Sequence, residues 1–389
     1  MSNNRRVFIA GGALTPFIGK GHPDFIWKRH PDFGVKENPS LDMLLKAAVD
    51  GAIAETGLNP AEVDRLYVGN FVGELFCNQG HLGAALAGTH PEFANKPSTR
   101  LEGACASGGL AFLAGVDAIR AGENTVLVTG VEVQTTQSAR VGADYLARAS
   151  HYSRQRQIDE FTFPALFARR TKAYRDAFGV TEEDIGHVAV KAYGNANKNP
   201  LAHMKAKGMS LEVAGSANDR NPCFLANEEL HPFIKMSDCS QVSDGAAALV
   251  LVSEDGLAKL GLTEADCVEV AGTGHSVSSL YTDGDLTQLT TTANAAAKAY
   301  TSAGISASDV DVAEVHDCFT VTELMMIEAI GLAAPGQGAT LTKDGATGID
   351  GATPVNTGGG LIGFGHPVGA TGIKQPLEIF RQMKGKCGD

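Results

Sequence analysis

The cysteines of this chain show no pairing pattern: seven are spread through 389 residues, with no Cys-x-x-Cys and no His-x-x-x-His. An odd, unpaired set excludes a disulfide scaffold and fits a reducing compartment, so a cytoplasmic protein is expected. The missing ligand spacings give an expectation of no metal site. No stretch offers 18 uninterrupted apolar residues, and no charged start leads into an apolar signal core. The expected chain is therefore neither membrane-embedded nor exported. Positive charge is scarce, since 32 Lys and Arg face 44 Asp and Glu for a net charge of −12. That balance argues against nucleic acid as a partner. What remains, 43% hydrophobic and 20% charged, is an ordinary globular chain able to bury one or two sizeable cores.

Three short segments carry reactive groups among small residues: Glu102-Gly-Ala-Cys105-Ala-Ser-Gly-Gly109, His316-Asp-Cys318-Phe319 and Gly365-His366-Pro-Val-Gly-Ala-Thr371. Cys105 precedes Leu110–Ile119, a run with apolar residues at near-helical spacing. At a helix start the unpaired N–H groups and positive dipole end favour a thiolate, so Cys105 reads as a nucleophile. Each segment also has a plainer reading. A cysteine among alanines and glycines is often just a small buried residue. His316 follows an apolar run and suits a strand end, and the glycines around His366 suit a turn. Packing alone does not readily produce the three together.

On these three motifs, and from about Arg6 to the last residue, the chain resembles the thiolase superfamily. Its branch is the one with His-Asp-Cys-Phe in place of Asn-Glu-Ala-Phe, which includes sterol-carrier-protein-type thiolases and many acetyl-CoA acetyltransferases. The resemblance implies that Cys105 is acylated, that His366 activates it, that His316 polarises the thioester carbonyl and that Cys318 shuttles the proton. It further implies that Ser240 contacts the pantetheine arm, though a turn serine reads almost as well. Phe319 would line the acyl pocket unless it is simply core, and Gly359, among the glycines 358–360, would let the backbone approach the substrate.

The implied activity is acyl-CoA:acetyl-CoA C-acyl transfer, either Claisen condensation of two acetyl-CoA or thiolysis of a 3-ketoacyl-CoA, in lipid metabolism. Coenzyme A thioesters are then substrates, with no bound cofactor. A homodimer or homotetramer is expected, with a partner protein of a thiolase complex as a further association. Two alternatives stand beside it. One is a condensing enzyme of the ketoacyl-synthase or hydroxymethylglutaryl-CoA-synthase kind; the other is a non-catalytic acyl-CoA-binding or scaffold subunit. Coenzyme A is a polyanion, and residues 140–175 offer it a local +5, with eight cations against three anions. Arg169 and Arg170 in that cluster are expected to hold its phosphates.

Apolar runs alternate with helical patterns twice along the chain, which predicts an α/β fold with parallel strands. Strands are expected at 7–10, 65–69, 125–129 and 245–252, then at 268–271 and 312–315. Helices are expected near 41–56, 80–88, 110–119, 163–178, 181–197, 291–303, 321–330 and 369–383. The resemblance turns this into a duplicated five-layered α-β-α-β-α thiolase fold with an inserted loop domain. Its parts would be residues 1–132 plus 237–262, a loop domain at 133–236 covering the substrate, and 263–389. The family continues past the His366 helix with two more strands, which this sequence does not supply; the second sheet is expected to lack them.

Overall fold

The computed structural model describes residues 5–388. Its strands are β1 (Phe8–Leu14), β2 (Arg65–Gly69), β3 (Ser98–Leu101), β4 (Thr125–Glu132), β5 (Gly245–Val252) and β6 (Val268–Glu269). The helices that shape the molecule are α1 (Leu41–Thr56), α2 (Leu82–Ala87), α3 (Ser107–Ala121), α4 (Thr162–Phe178), α5 (Glu182–Lys198), α6 (Thr290–Ala303), α7 (Thr320–Ala329), α8 (Gly360–Phe364) and α9 (Val368–Met383). The chain divides into two compact units. One holds the described residues up to Thr136, Val242–Ala271 and those from Pro367; the other holds Gln137–Gln241 and Gly272–His366.

The first unit is built on one sheet of order β3-β2-β4-β5-β1-β6. Only the pairings β3–β2 and β2–β4 are parallel; β5 returns antiparallel to β4, β1 is antiparallel to β5, and β6 to β1. The α/β fold with parallel strands is thus found with a mixed sheet, parallel in its β3-β2-β4 part. On one face α1 buries Leu41, Leu44, Leu45, Ala48, Val49 and Ala52 against Val68, Leu127 and Val250 of the strands. That spacing of three and four residues puts the apolar stripe on one side of the helix. Ser40 starts α1 by accepting a hydrogen bond from the Met43 N–H, and Gly57 ends it at φ 65°. The edge strand β3 escaped the sequence reading because Ser-Thr-Arg-Leu carries no apolar alternation.

The other face carries α3 and α9, which pack on the sheet and on each other. The run Ala104–Ala121 is long and apolar enough to cross a membrane by composition alone, but here it is a helix packed on β2, β4 and α9. The heads of α3 and α9 meet backbone to backbone. A Cβ on Gly108 would lie 2.5 Å from the Gly369 carbonyl oxygen, and one on Gly372 would lie 2.1 Å from the Gly109 nitrogen. Glycine is the residue that permits this approach.

Among its described residues the second unit has helices and no strand. Two expectations fail here for separable reasons. Residues 268–271 do not open a second sheet; β6 adds to the free edge of β1 in the first. Residues 312–315 make only a single bridge, Ala313 with Val355. Pro354 has no N–H to donate, the Val355 N–H is taken by the Thr347 carbonyl, and the Val315 N–H goes to the Asn356 side chain. A ladder has nothing left to extend with. What organises the unit instead is α5, begun by a reciprocal cap between Thr181 and Asp184. It packs closely on α8, and its Asn195 donates to the Asn356 carbonyl at 3.1 Å.

Candidate active site

In the first unit, β3 runs into α3 through a tight turn at residues 102–106. Ala104 there takes a left-handed φ of 51°, unusual for a residue with a Cβ. Two side chains hold the turn. Glu102 Oε1 accepts from the Ala104 N–H at 2.6 Å, while Ser107 Oγ accepts from the Gly103 N–H at 3.0 Å and donates to the Ala104 carbonyl at 2.7 Å. Cys105 sits in the single 3-10 turn ahead of α3.

Its ionisation differs from the sequence expectation. Cys105 keeps some exposed surface, yet burial pushes its thiol up to about 12, and the nearby Glu132 carboxylate raises it further. A backbone hydrogen bond lowers it, by less. Desolvation of the anion outweighs the helix end, so the resting sulfur is a thiol.

The second unit gathers the remaining reactive groups. The rings of His316 and His366 stand edge to face, 5.1 Å apart at 85°. Burial lowers His316 to about 4; burial, then the neighbouring His316, lowers His366 well below the usual imidazole value. Both are therefore neutral near pH 7, each able to offer one donor and one acceptor nitrogen. Cys318 is buried, with Sγ 4.0 Å from Thr322 Oγ1. The Ser240 N–H donates to the Cys318 carbonyl at 2.9 Å, which places Ser240 beside the motif. Phe319 stacks on Phe167 of α4, with ring centres 4.2 Å apart. Gly359 precedes α8 at φ 113°.

The segment carrying His316 and Cys318 is held by a polar network that sequence reasoning missed. Asp317, fully buried, accepts from the Leu361 N–H at 2.6 Å and the Ile362 N–H at 3.4 Å. Burial, then the Glu323 charge, raises the Asp317 carboxyl. Glu323 pairs with Lys191 at 2.7 Å and accepts from Asn356 Nδ2 at 2.8 Å, while Asn356 Oδ1 accepts from the Val315 N–H at 2.9 Å. Asp317 lay in plain view inside the motif. Lys191 and Asn356 gave no signal, because nothing local ties them to it.

Arg169 and Arg170 are engaged within the protein. Arg169 pairs with Asp283 at 3.4 Å, and Arg170 donates to the carbonyls of Asp285, Leu286 and Gln288. Much of the basic cluster is likewise matched: Arg140 with Glu160, Arg148 and Arg156 with Asp144, Lys172 with Asp176. Of these acids Asp176 and Asp283 lie outside residues 140–175, so it is these two pairs that offset part of the local +5.

Residues 31–255 match the family model for "Thiolase, N-terminal domain" and residues 272–389 that for "Thiolase C-terminal domain-like". An acetyl-CoA acetyltransferase of Methanothermobacter thermautotrophicus is 35% identical over 348 residues, spanning 89% of this chain and 86% of the relative. Among solved structures, an Ltp2-ChsH2(DUF35) aldolase superposes with a TM-score of 0.74 at 24% identity, covering 99% of this chain and 92% of that one. Human mitochondrial 3-ketoacyl-CoA thiolase in complex with CoA gives 0.70 at 18%, covering 99% and 93%. At those identities the two structures speak for the fold alone.

Proposed function

Because the chain belongs to the thiolase family, we propose that it is an acyl-CoA:acetyl-CoA C-acyltransferase working through an acyl group on Cys105. The observation that carries this reading is the pair of neutral imidazoles, His316 and His366, standing edge to face in the unit that also holds Cys318. Chain connectivity supports it. Cys105 lies three residues before Gly108, and His366 three residues before Gly369, the two glycines at which the heads of α3 and α9 touch.

In the proposed cycle the Cys105 proton passes to His366 as the sulfur attacks the thioester carbonyl. The coenzyme A thiolate leaves and takes that proton from the imidazolium. A second acetyl-CoA then loses an α-proton to Cys318 as thiolate, while a neutral His316 N–H steadies the enolate oxygen. The enolate carbon attacks the acyl carbonyl, Cys105 departs as thiolate, and the proton that Cys318 took from the α-carbon passes to it, so that Cys105 ends as thiol and Cys318 as thiolate, as they began. Thiolysis runs the same steps backwards.

A second reading has one observation in its favour. The aldolase with the same fold is an assembly of Ltp2 with ChsH2. This chain would then be an acyl-CoA-binding subunit that works beside a partner. Thiolysis of acetoacetyl-CoA, followed alongside calorimetric titration with coenzyme A, separates the two. Turnover that vanishes in Cys105→Ala supports the enzyme; binding without turnover supports the subunit.

A further inference from the structure

The cycle above makes no use of the buried acids of the first unit, and among them Glu132 is fully enclosed. Glu132, the last residue of β4, has no exposed surface and is cradled by four donors. Oε2 accepts from the Phe71 N–H at 2.8 Å and the Gly369 N–H at 3.0 Å. Oε1 accepts from Asn70 Nδ2 at 2.9 Å and the Val72 N–H at 3.2 Å. One carboxylate thus ties the end of β4 to the turn after β2 and to the first turn of α9.

The first turn of a helix has N–H groups with no partner inside the helix, and a carboxylate is their strongest match. The Gly369 N–H is one of these, at the second residue of α9. Its surroundings leave no slack. A Cβ on Gly369 would lie 2.5 Å from the Gly69 carbonyl oxygen and 2.6 Å from that of Val131, and the Gly369 carbonyl is the atom that meets Gly108 of α3. The head of α9 is therefore seated on the strand ends and against the head of α3, with Glu132 as the side chain that fastens it.

We propose that Glu132 is a positioning residue, which fixes the head of α9, and with it the adjoining His366, in register with Cys105 at the head of α3. The inference rests on the reading of Cys105 and His366 given above. The chemistry of the cradle makes the acid specific. Glutamine would present one oxygen and one NH2, so one of the two donor pairs would face another donor. Aspartate is a methylene shorter and cannot reach both the turn and the helix. Asn70 belongs to the same arrangement, since its Oδ1 accepts from the Gly73 N–H at 3.1 Å and its Nδ2 also reaches the Val131 carbonyl.

The test uses the full chain with Glu132→Gln and Glu132→Asp. Misplacing a reacting group by about 1 Å lowers rate by about 10²-fold. The expected result in acetoacetyl-CoA thiolysis is a kcat loss of about that size with KM held within about two-fold. A defect that merely loosened the fold would move both together. Hydrogen exchange reports the clamp without any assay of activity: amides 368–371 of Glu132→Gln are expected to exchange at least about tenfold faster. Unchanged exchange in a folded variant overturns the clamp; faster exchange with unchanged kcat, or a loss confined to KM, overturns its role in positioning. Should neither variant fold, Asn70→Ala removes one of the four donors and is expected to lower kcat several-fold at constant KM, an unaltered kcat again overturning the proposal. A Cys105→Ala protein that turns over like the wild type would instead strike at the underlying reading, leaving the exchange result to stand alone.

Discussion

A cysteine whose thiol lies at about 12 is almost wholly protonated at pH 7, so Cys105 depends on a base during the attack. His366, kept neutral by burial and by its neighbour, is suited to that task. Roles separate at this scale. Cys318→Ala is expected to leave acylation by acetyl-CoA intact and to lower condensation by at least about 10²-fold. Rapid-quench measurement of the acyl-enzyme beside steady-state condensation checks this, and condensation at the wild-type rate would place the proton shuttle elsewhere. Residue identities were legible in the sequence, since Cys105, His316, Cys318 and His366 all stand in short motifs. Their ionisation was not. Whether a thiol feels a helix end or a desolvating wall depends on atoms distant in sequence. The same holds for Arg169 and Arg170, whose carbonyl and carboxylate partners lie more than a hundred residues away.

Helices were read well at the scale of elements because their apolar spacing and caps are local; Ser40 and Gly57 around α1 are examples. Strands were read less well where pairing decides. Residues 268–271 looked like the start of a new sheet, and only the free edge of β1 shows where they belong. Residues 312–315 have the apolar letters of a strand but a neighbour interrupted by Pro354. In their place Asp317 holds the segment on the first turn of α8, and this contact sets a sharp requirement at Gly360. That residue has φ 60°, and a Cβ there would lie 2.2 Å from Asp317 Oδ2. Gly360→Ala is expected to destabilise the chain by more than about 2 kcal/mol, through left-handed backbone and an overlap with a carboxylate that has its own donors to keep. Urea denaturation at pH 7 measures it, and a midpoint equal to the wild type would contradict the contact. On the sheet side, Leu45→Ala should cost about 2–5 kcal/mol, since Leu45 is fully buried in the cluster under α1. The same denaturation experiment reads it, a loss below about 1 kcal/mol being the contrary result.

Across the whole molecule, buried histidines make stability depend on pH in a definite direction. His316 is lowered to about 4 in the folded chain and returns to 6.5 on unfolding. Between those values the unfolded chain binds the additional proton, so stability falls as pH drops from 6.5 toward 4, by at most about 1.4 kcal/mol per pH unit for this group. Buried acids with raised values, Glu132 at about 7 among them, act in the opposite sense over part of the same range. A difference measurement isolates the imidazole: the stability of His316→Asn relative to wild type is expected to improve steadily as pH falls through that window. A difference independent of pH would show that His316 is not buried neutral. The net charge of −12 was legible from composition, but not that Asp283, brought beside Arg169 on folding, offsets part of the +5 cluster.

The most direct measurement is acid-quench mass spectrometry after incubation with acetyl-CoA alone. One acetyl group per chain, on the peptide containing Cys105 and absent in Cys105→Ala, is the expected result. Full turnover with the acetyl group on another residue, or with none on Cys105, would contradict the account.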